Sequence, residues 1–374
     1  MNTAENTSAA PVILAARRIS MQDRYSMDRL RDLTLEIRKG DVIAVLGASE
    51  STKRLLLRCL DLLDKPEGGN VELNGEPVMW RRGGADHARK SIGIVFTRES
   101  LFRNLSVMEN MMIAPVDGSE EEEWVIFDRA KNLLKFAGLS GMADEMPINL
   151  TAGQRRRLAI VRALMLQPQI LLIEAPGDQL SPAEKNEVYA LVRVVVKTGI
   201  TTLFTTNDLD FARSVATRVV FMADGIARED GTVKEVLDHP QYDRTQAFVR
   251  KNTGFYREFN ARSFDEFEFM GAIESFAAGK LIPPERRRVL GDAMKILLVQ
   301  LIFPHITRVV LTLDVDAEKK DVIATVQYPG AGFDPLTAPL SADAEDAKSE
   351  LLAYAKSAKY HLPASGKNEI VVTI

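Results

Sequence analysis

The residues best placed to do chemistry lie in one stretch, VIAVLGASESTKR, Val42–Arg54. An apolar, β-branched run ends in small residues and gives way to the apolar helical pattern LLLRCLDLL, Leu55–Leu63. This is the layout of a strand, a phosphate loop and a helix. In such a loop, glycines let backbone N–H groups close on phosphate. The lysine reaches the terminal phosphates, and the hydroxyl after it ligates Mg²⁺. The pattern asks for Gly, four residues, Gly, Lys, then Ser or Thr. Here Gly47 is followed, after four residues, by Thr52, Lys53 and Arg54. The lysine is kept; the second glycine and the metal-binding hydroxyl are not. The candidate phosphate-loop contacts are Gly47, Ser49, Ser51, Thr52, Lys53 and Arg54. Tyr25, ahead of the preceding strand, is placed either to stack on a base or to sit in a turn.

Strands and helices alternate around this loop. The segment Val12–Arg38 reads as two antiparallel strands, and Asn70–Val78 as a hairpin turned at Asn74-Gly75. Trp80–Lys90 reads as a polar loop and Ser91–Phe96 as a buried strand. Ser119 and Glu122 have the spacing of a capping box. A Thr-capped basic helix follows Asn149, then a buried strand, Ile170–Ile173, a helix, Pro182–Val196, and an apolar strand, Thr201–Thr205. This alternation predicts an α/β domain with a mainly parallel sheet.

KNTGFYREFNARS, Lys251–Ser263, reads as a linker. Beyond it the order changes to helices over about 264–279 and 284–302, a hairpin turned at Ala317–Lys320, a helix over Ala342–Lys359 and a strand, Glu369–Ile374. That predicts a small α+β domain. The expected division is therefore a disordered tail (1–11), an α/β domain (12–251), a linker (252–263) and an α+β domain (264–374).

Composition narrows the class. The chain has 374 residues, 46% hydrophobic and 27% charged, with a net charge of −4. These values suit a globular protein and give no sign of a nucleic-acid partner. A single cysteine, Cys59, excludes an internal disulfide and suits a reducing cytosol. No apolar run approaches the ~20 residues of a membrane span. The N-terminus MNTAENTSAAP lacks the basic start and apolar core of a signal peptide. The expected location is cytoplasmic, held at the inner membrane face only through a partner.

Val12–Lys251 resembles the ATP-binding subunit of ABC transporters, most closely those of polar amino-acid importers. LLLRCLDLLDKPEGGNVELNG, IGIVFTRESLFRNLSVMENMMIAPV, LTAGQRRRLAIVRAL, FARSVATRVVFMADG and HPQYDRTQAFV carry the resemblance in order. It implies an ABC-type P-loop fold. ATP would be sandwiched between two subunits, and membrane permease subunits would be further partners. In the family, one subunit offers the phosphate loop, an acidic strand end and a switch histidine, and the other a signature loop. Leu150, Thr151, Ala152, Gly153 and Gln154 would form that signature loop.

The same resemblance exposes departures. Glu50 and Thr52 stand where the family has glycines, and a carboxylate there repels phosphate. Arg54 replaces the Mg²⁺-holding hydroxyl. Thr97 replaces a glutamine that links the metal site to the transporter interface. Glu174 replaces the metal-linked Asp and Ala175 the catalytic Glu. Ser181 replaces a further Asp, and Asn207 replaces the switch histidine. No active catalytic residue and no metal ligand set is therefore expected, with ATP bound weakly or not at all and Mg²⁺ in doubt. Arg54 and Glu174 occupy positions that converge on Mg²⁺ in the family. They either form an ion pair in its place, or Arg54 turns to solvent. The C-terminal segment faintly resembles the ATP-binding fold of histidine kinases and anti-sigma factors, with Tyr328 replacing an adenine-reading Asp. A regulatory or dimerisation role is expected there. The expected function is a non-hydrolysing subunit or regulator, forming a homo- or heterodimer through the ABC domain. The alternative is an active ATPase subunit energising import of a polar solute such as an amino acid.

Overall fold

The computed structural model describes residues 10–23, 27–80, 83–97, 101–118, 121–253, 255–280, 282–315, 321–330, 332–338, 341–362 and 368–374. Tyr25, Ser119 and the expected turn at Ala317–Lys320 lie outside them, as do residues 1–9 of the expected tail. The chain divides into two units, up to Gln246 and from Ala247.

The first unit contains, in order, β1 (Val12–Gln22), β2 (Arg29–Arg38), β3 (Val42–Leu46), α1 (Glu50–Leu60), β4 (Gly68–Leu73), β5 (Glu76–Pro77), α2 (Gly84–Arg89), β6 (Ile92–Val95), α3 (Val107–Gly118), α4 (Glu123–Phe136), α5 (Ala152–Ala163), β7 (Ile170–Ile173), α6 (Pro182–Lys197), β8 (Thr201–Thr205), α7 (Leu209–Val215), β9 (Arg218–Ala223), β10 (Ile226–Thr232) and α8 (Val233–Leu237). The division between units falls inside α9 (Asp243–Thr253). Strands β3, β7 and β8 are buried at every residue. Such apolar runs belong in the middle of a parallel sheet covered on both faces. They lie inside a six-stranded sheet of order β10-β9-β3-β8-β7-β6, antiparallel only at β10. A second, antiparallel sheet has the order β2-β1-β4-β5. Leu55, Leu56, Leu57 and Leu60 of α1 share one core with the apolar side chains of both sheets. Helix α1 is thereby fixed at the end of β3. The expected loop at Trp80–Lys90 is partly helical, as α2.

Asp61, just past the end of α1, is 1% exposed, and its Oδ1 has no hydrogen-bond partner among the described residues. Arg89 donates instead to the backbone carbonyls of Asp61 and Leu62. Burial pushes the Asp61 carboxyl up to about 7, against the pull of Arg89. The folded state therefore holds a proton that the unfolded chain releases near pH 4. The resulting penalty grows as pH rises from about 4 to 7 and is constant above. Asp61→Asn is expected to stabilise the protein by roughly 2 kcal/mol at pH 8, with the gain vanishing toward pH 4. Denaturant unfolding at the two pH values checks this; an equal gain at both would show that ionisation is not the cause.

The second unit holds β11 (Phe255–Asn260), α10 (Glu266–Gly279), α11 (Pro284–Lys295), a π-helical extension (Ile296–Ile302), β12 (Arg308–Val315), β13 (Val322–Tyr328), α12 (Ala342–Tyr354), β14 (Ser357–His361) and β15 (Asn368–Thr373). Its antiparallel sheet has the order β11-β12-β13-β15-β14. Two expectations are corrected here. Half of the linker expected over 252–263 is the edge strand β11, paired residue for residue with β12. Phe255 and Phe259, four residues apart along the strand, turn to one side and pack with Phe264, Phe269 and Phe276. The charged residues between them hid this alternation. The helix expected to reach Lys359 stops at Tyr354, because Ser357–His361 is claimed by pairing with β15. Tyr328 is buried, with its hydroxyl donating to the Phe333 carbonyl at 2.8 Å.

Candidate functional site

Gly47 follows β3 with φ +151°, and a Cβ there would lie 2.5 Å from the Met222 carbonyl oxygen on β9. Glycine is what allows the chain to leave the sheet at this point. Only Ala48 and Ser49 separate it from α1, which starts at Glu50. Ser49 caps the helix, its Oγ accepting from the Thr52 N–H at 3.1 Å. Residues 50–53, loop residues by the phosphate-loop pattern, thus form the first helical turn. A serine cap and an acidic residue in the first turn both favour that outcome. Glu50 and Thr52 also lack the backbone freedom of glycine.

The hydroxyls expected to face phosphate turn elsewhere. The Asp28 carboxylate accepts from Ser49 Oγ at 3.0 Å, from Thr52 Oγ1 at 3.3 Å and from Ser51 Oγ. Lys53 is 1% exposed. Its Nζ donates to Glu50 Oε1 and to Asn207 Oδ1, each at 2.8 Å. Asn207 Nδ2 donates to the same Glu50 oxygen at 2.7 Å, closing a three-residue ring. Burial lowers the Lys53 pKa, and Glu50 opposes the shift. Arg54 Nε donates to Glu174 Oε1 at 2.5 Å, and the Thr97 N–H donates to Glu174 Oε2 at 2.8 Å. The structure takes the ion-pair alternative for Arg54. Asp178 lies close enough that burial, and then the charge of Glu50, raise its carboxyl pKa.

Ala175 is buried with φ +39°, an uncommon conformation for a residue bearing a Cβ. Its N–H donates to the Thr205 carbonyl at 3.1 Å and to Thr205 Oγ1 at 3.0 Å. Its carbonyl accepts from Arg156 Nη1 at 2.9 Å. Arg156, 2% exposed, also donates to the carbonyls of Pro176 at 3.2 Å and Thr97 at 2.7 Å. One guanidinium thus ties α5 to the loops after β6 and β7.

The stretch Leu150–Gln154 enters α5 through a complete capping box, with Thr151 and Gln154 bonded reciprocally. The Gly153 N–H donates to Glu184 Oε1 at 3.0 Å. A Cβ on Gly153 would lie 2.7 Å from the Glu184 Cβ, so the glycine permits this approach. The Gly153 N–H, followed by the Ser181 hydroxyl, holds the Glu184 carboxyl down to about 2. Thr97, Arg103, Ile148, Arg155 and Asp178 line a cavity of about 750 Å³ beside this entry.

A sequence model of the family described as ABC transporter matches residues 30–177. The arginine transport ATP-binding protein ArtM of Bacillus subtilis (strain 168) is 37% identical over 222 residues, covering 59% of this chain and 92% of that protein. The chain belongs to the ABC transporter ATP-binding family. The glutamate transport ATP-binding protein GluA of Corynebacterium glutamicum is 35% identical over 222 residues, with 59% of this chain and 92% of GluA covered. The solved dimeric structure of a bacterial ABC transporter cassette matches with a TM-score of 0.53 and 25% identity, over 59% of this chain and 99% of that one. The ABC fold and the similarity to amino-acid importer ATPases, both expected from the ordered motifs, are shown. No helix among the described residues of this ABC protein is long and apolar enough to cross a membrane.

Around the ABC phosphate loop, three participants went unread in the sequence. Asp28 lies in no motif. Arg156 is one of three consecutive arginines, and nothing in their order marks the buried one. Glu184 caps α6 with Ser181, and its second contact, to Gly153, depends on how α5 and α6 pack.

Proposed function

We infer that this chain is a non-hydrolysing member of the ABC ATP-binding family, serving as a subunit or regulator beside other transporter components. The observation that carries the reading is the Arg54–Glu174 pair next to Ala175. In phosphoryl-transfer sites of this class, a loop hydroxyl and a strand-end carboxylate hold Mg²⁺, and a further group orients the attacking water. Here the hydroxyl position carries a guanidinium that cannot ligate a metal, and it already engages the only carboxylate of the pair. Ala175 offers a methyl group where a water would need a base. The Lys53–Glu50–Asn207 ring engages the lysine as well. A magnesium–nucleotide does not fit these residues as they stand, so no catalytic step is assigned to it.

The transport roles named for the relatives support a place in amino-acid import, and a solved relative supports a paired arrangement of cassettes. The C-terminal unit, with its own core and sheet, suits a regulatory or dimerisation role. The test is ATP turnover by the full chain, alone and with co-purified permease components. Turnover is expected to stay at the buffer background in both. Sustained turnover that disappears in Lys53→Ala would instead support the active importer ATPase.

A further inference from the structure

A phosphate loop binds phosphate with three kinds of group: backbone N–H groups of an open loop, a lysine ammonium and nearby hydroxyls. All three are committed internally in this protein. The loop backbone is wound into the first turn of α1 from Glu50. The hydroxyls of Ser51 and Thr52 face Asp28. The buried Lys53 ammonium lies on the Glu50 carboxylate. We propose that Glu50 is a built-in occupant of the phosphate position, an autoinhibitory carboxylate that closes the site without nucleotide and latches α1 to the loop after β8 through Asn207.

The chemistry of the ring explains why one glutamate can do this. A carboxylate, like a phosphate oxygen, accepts charge-assisted hydrogen bonds from an ammonium. Glu50 Oε1 receives two donors at once, Lys53 Nζ at 2.8 Å and Asn207 Nδ2 at 2.7 Å. Asn207 also accepts from Lys53, so each member of the ring satisfies the other two. Lys53 and Glu50 are three residues apart on one helix, where side chains face each other. The pairing therefore exists only because the helix starts early. An open loop would carry Glu50 away from the ammonium. An arriving phosphate would have to displace the carboxylate from a lysine with almost no access to water, and would meet its negative charge on the way.

The inference rests on Lys53 holding the lysine position of a phosphate loop. It does not rest on the absence of hydrolysis, and the two are read by different measurements. Calorimetric titration of the full-length protein with metal-free ATP, and separately with inorganic tripolyphosphate, is compared for wild type, Glu50→Ala and Glu50→Ala/Lys53→Ala. Glu50→Ala is expected to bind both ligands at least tenfold more tightly than wild type. The gain should vanish when Lys53 is also removed. If Glu50→Ala does not fold, Glu50→Gln keeps the shape of the ring, removes its charge and is expected to shift affinity in the same direction. Equal affinities for wild type and a folded Glu50 variant would overturn the proposal, as would micromolar ATP binding by wild type that Lys53→Ala abolishes. ATP turnover by wild type would count against the proposed function and leave this binding comparison to stand or fall by itself.

Discussion

Arg156→Ala is expected to lower the unfolding free energy by roughly 3–5 kcal/mol, the largest single-site effect anticipated. The guanidinium is buried and donates to three backbone carbonyls, those of Thr97, Ala175 and Pro176. Truncation removes a donor from each of those oxygens, of which the Ala175 carbonyl keeps the Asp178 N–H at 3.1 Å, and opens a cavity the size of the side chain. Hydrogen bonds from a charged donor are worth about 1.5–3 kcal/mol each, and their loss is not additive when they share one group. Arg156→Lys should recover little. An ammonium cannot span acceptors arranged for a planar fork, and its compact charge is harder to bury. Urea unfolding of the two variants decides the matter. A loss below about 1 kcal/mol in Arg156→Ala would show that water or a neighbour replaces the clamp. Because the three carbonyls lie on the loops after β6 and β7, the same variant should loosen both loops together. Hydrogen exchange at Thr97 and Gly177 provides that second readout.

The Arg54–Glu174 pair gives the next largest effect. The Glu174 side chain is 4% exposed, whereas that of Arg54 is 49% exposed. The asymmetry sets the direction of the experiment. Arg54→Ala strands a buried carboxylate that, among the described residues, keeps only the Thr97 N–H, and the expected loss is about 2–4 kcal/mol. Solvent around Arg54 places the result toward the lower end of that range. Glu174→Gln removes the buried charge and should cost less than Arg54→Ala. The double variant should recover much of the Arg54→Ala loss, because a neutral amide needs no counter-ion. A double-mutant cycle with a coupling below about 0.5 kcal/mol would mean that Arg54 acts through packing alone. If the guanidinium stands in for a divalent cation, Mg²⁺ should raise the melting temperature of Arg54→Ala more than that of wild type. Equal responses would remove that comparison.

Part of this site could be read before any coordinates. Lys53, Arg54, Glu174, Ala175 and Asn207 were placed by ordered motifs, and the nearness of the Arg54 and Glu174 positions followed from where those motifs meet in the ABC fold, with the ion pair only one of two alternatives. The buried runs at β3, β7 and β8 announced the middle of a parallel sheet, since strands covered on both faces have no polar side to alternate. The second unit was legible as helices and an antiparallel sheet, but its edges were not. An edge strand has one solvated side, so Phe255–Asn260 carries charge between its phenylalanines and reads as a linker until β12 pairs with it.

What the sequence determined by itself was the order of elements, the ABC character of the first unit and the identity of the side chains at each motif position. These depend on local pattern and spacing along the chain. What only the tertiary structure decided was which charge meets which. The early start of α1 brings Glu50 onto Lys53. The β8–α7 turn delivers Asn207 to the same oxygen. The packing of α5 buries Arg156 under three carbonyls and brings Gly153 to Glu184. Partners separated by 154 residues in one case and 19 in another are joined by direction and distance. Hydrogen bonds and ion pairs act over a few ångströms, so their partners are fixed only when the backbone has closed the gap.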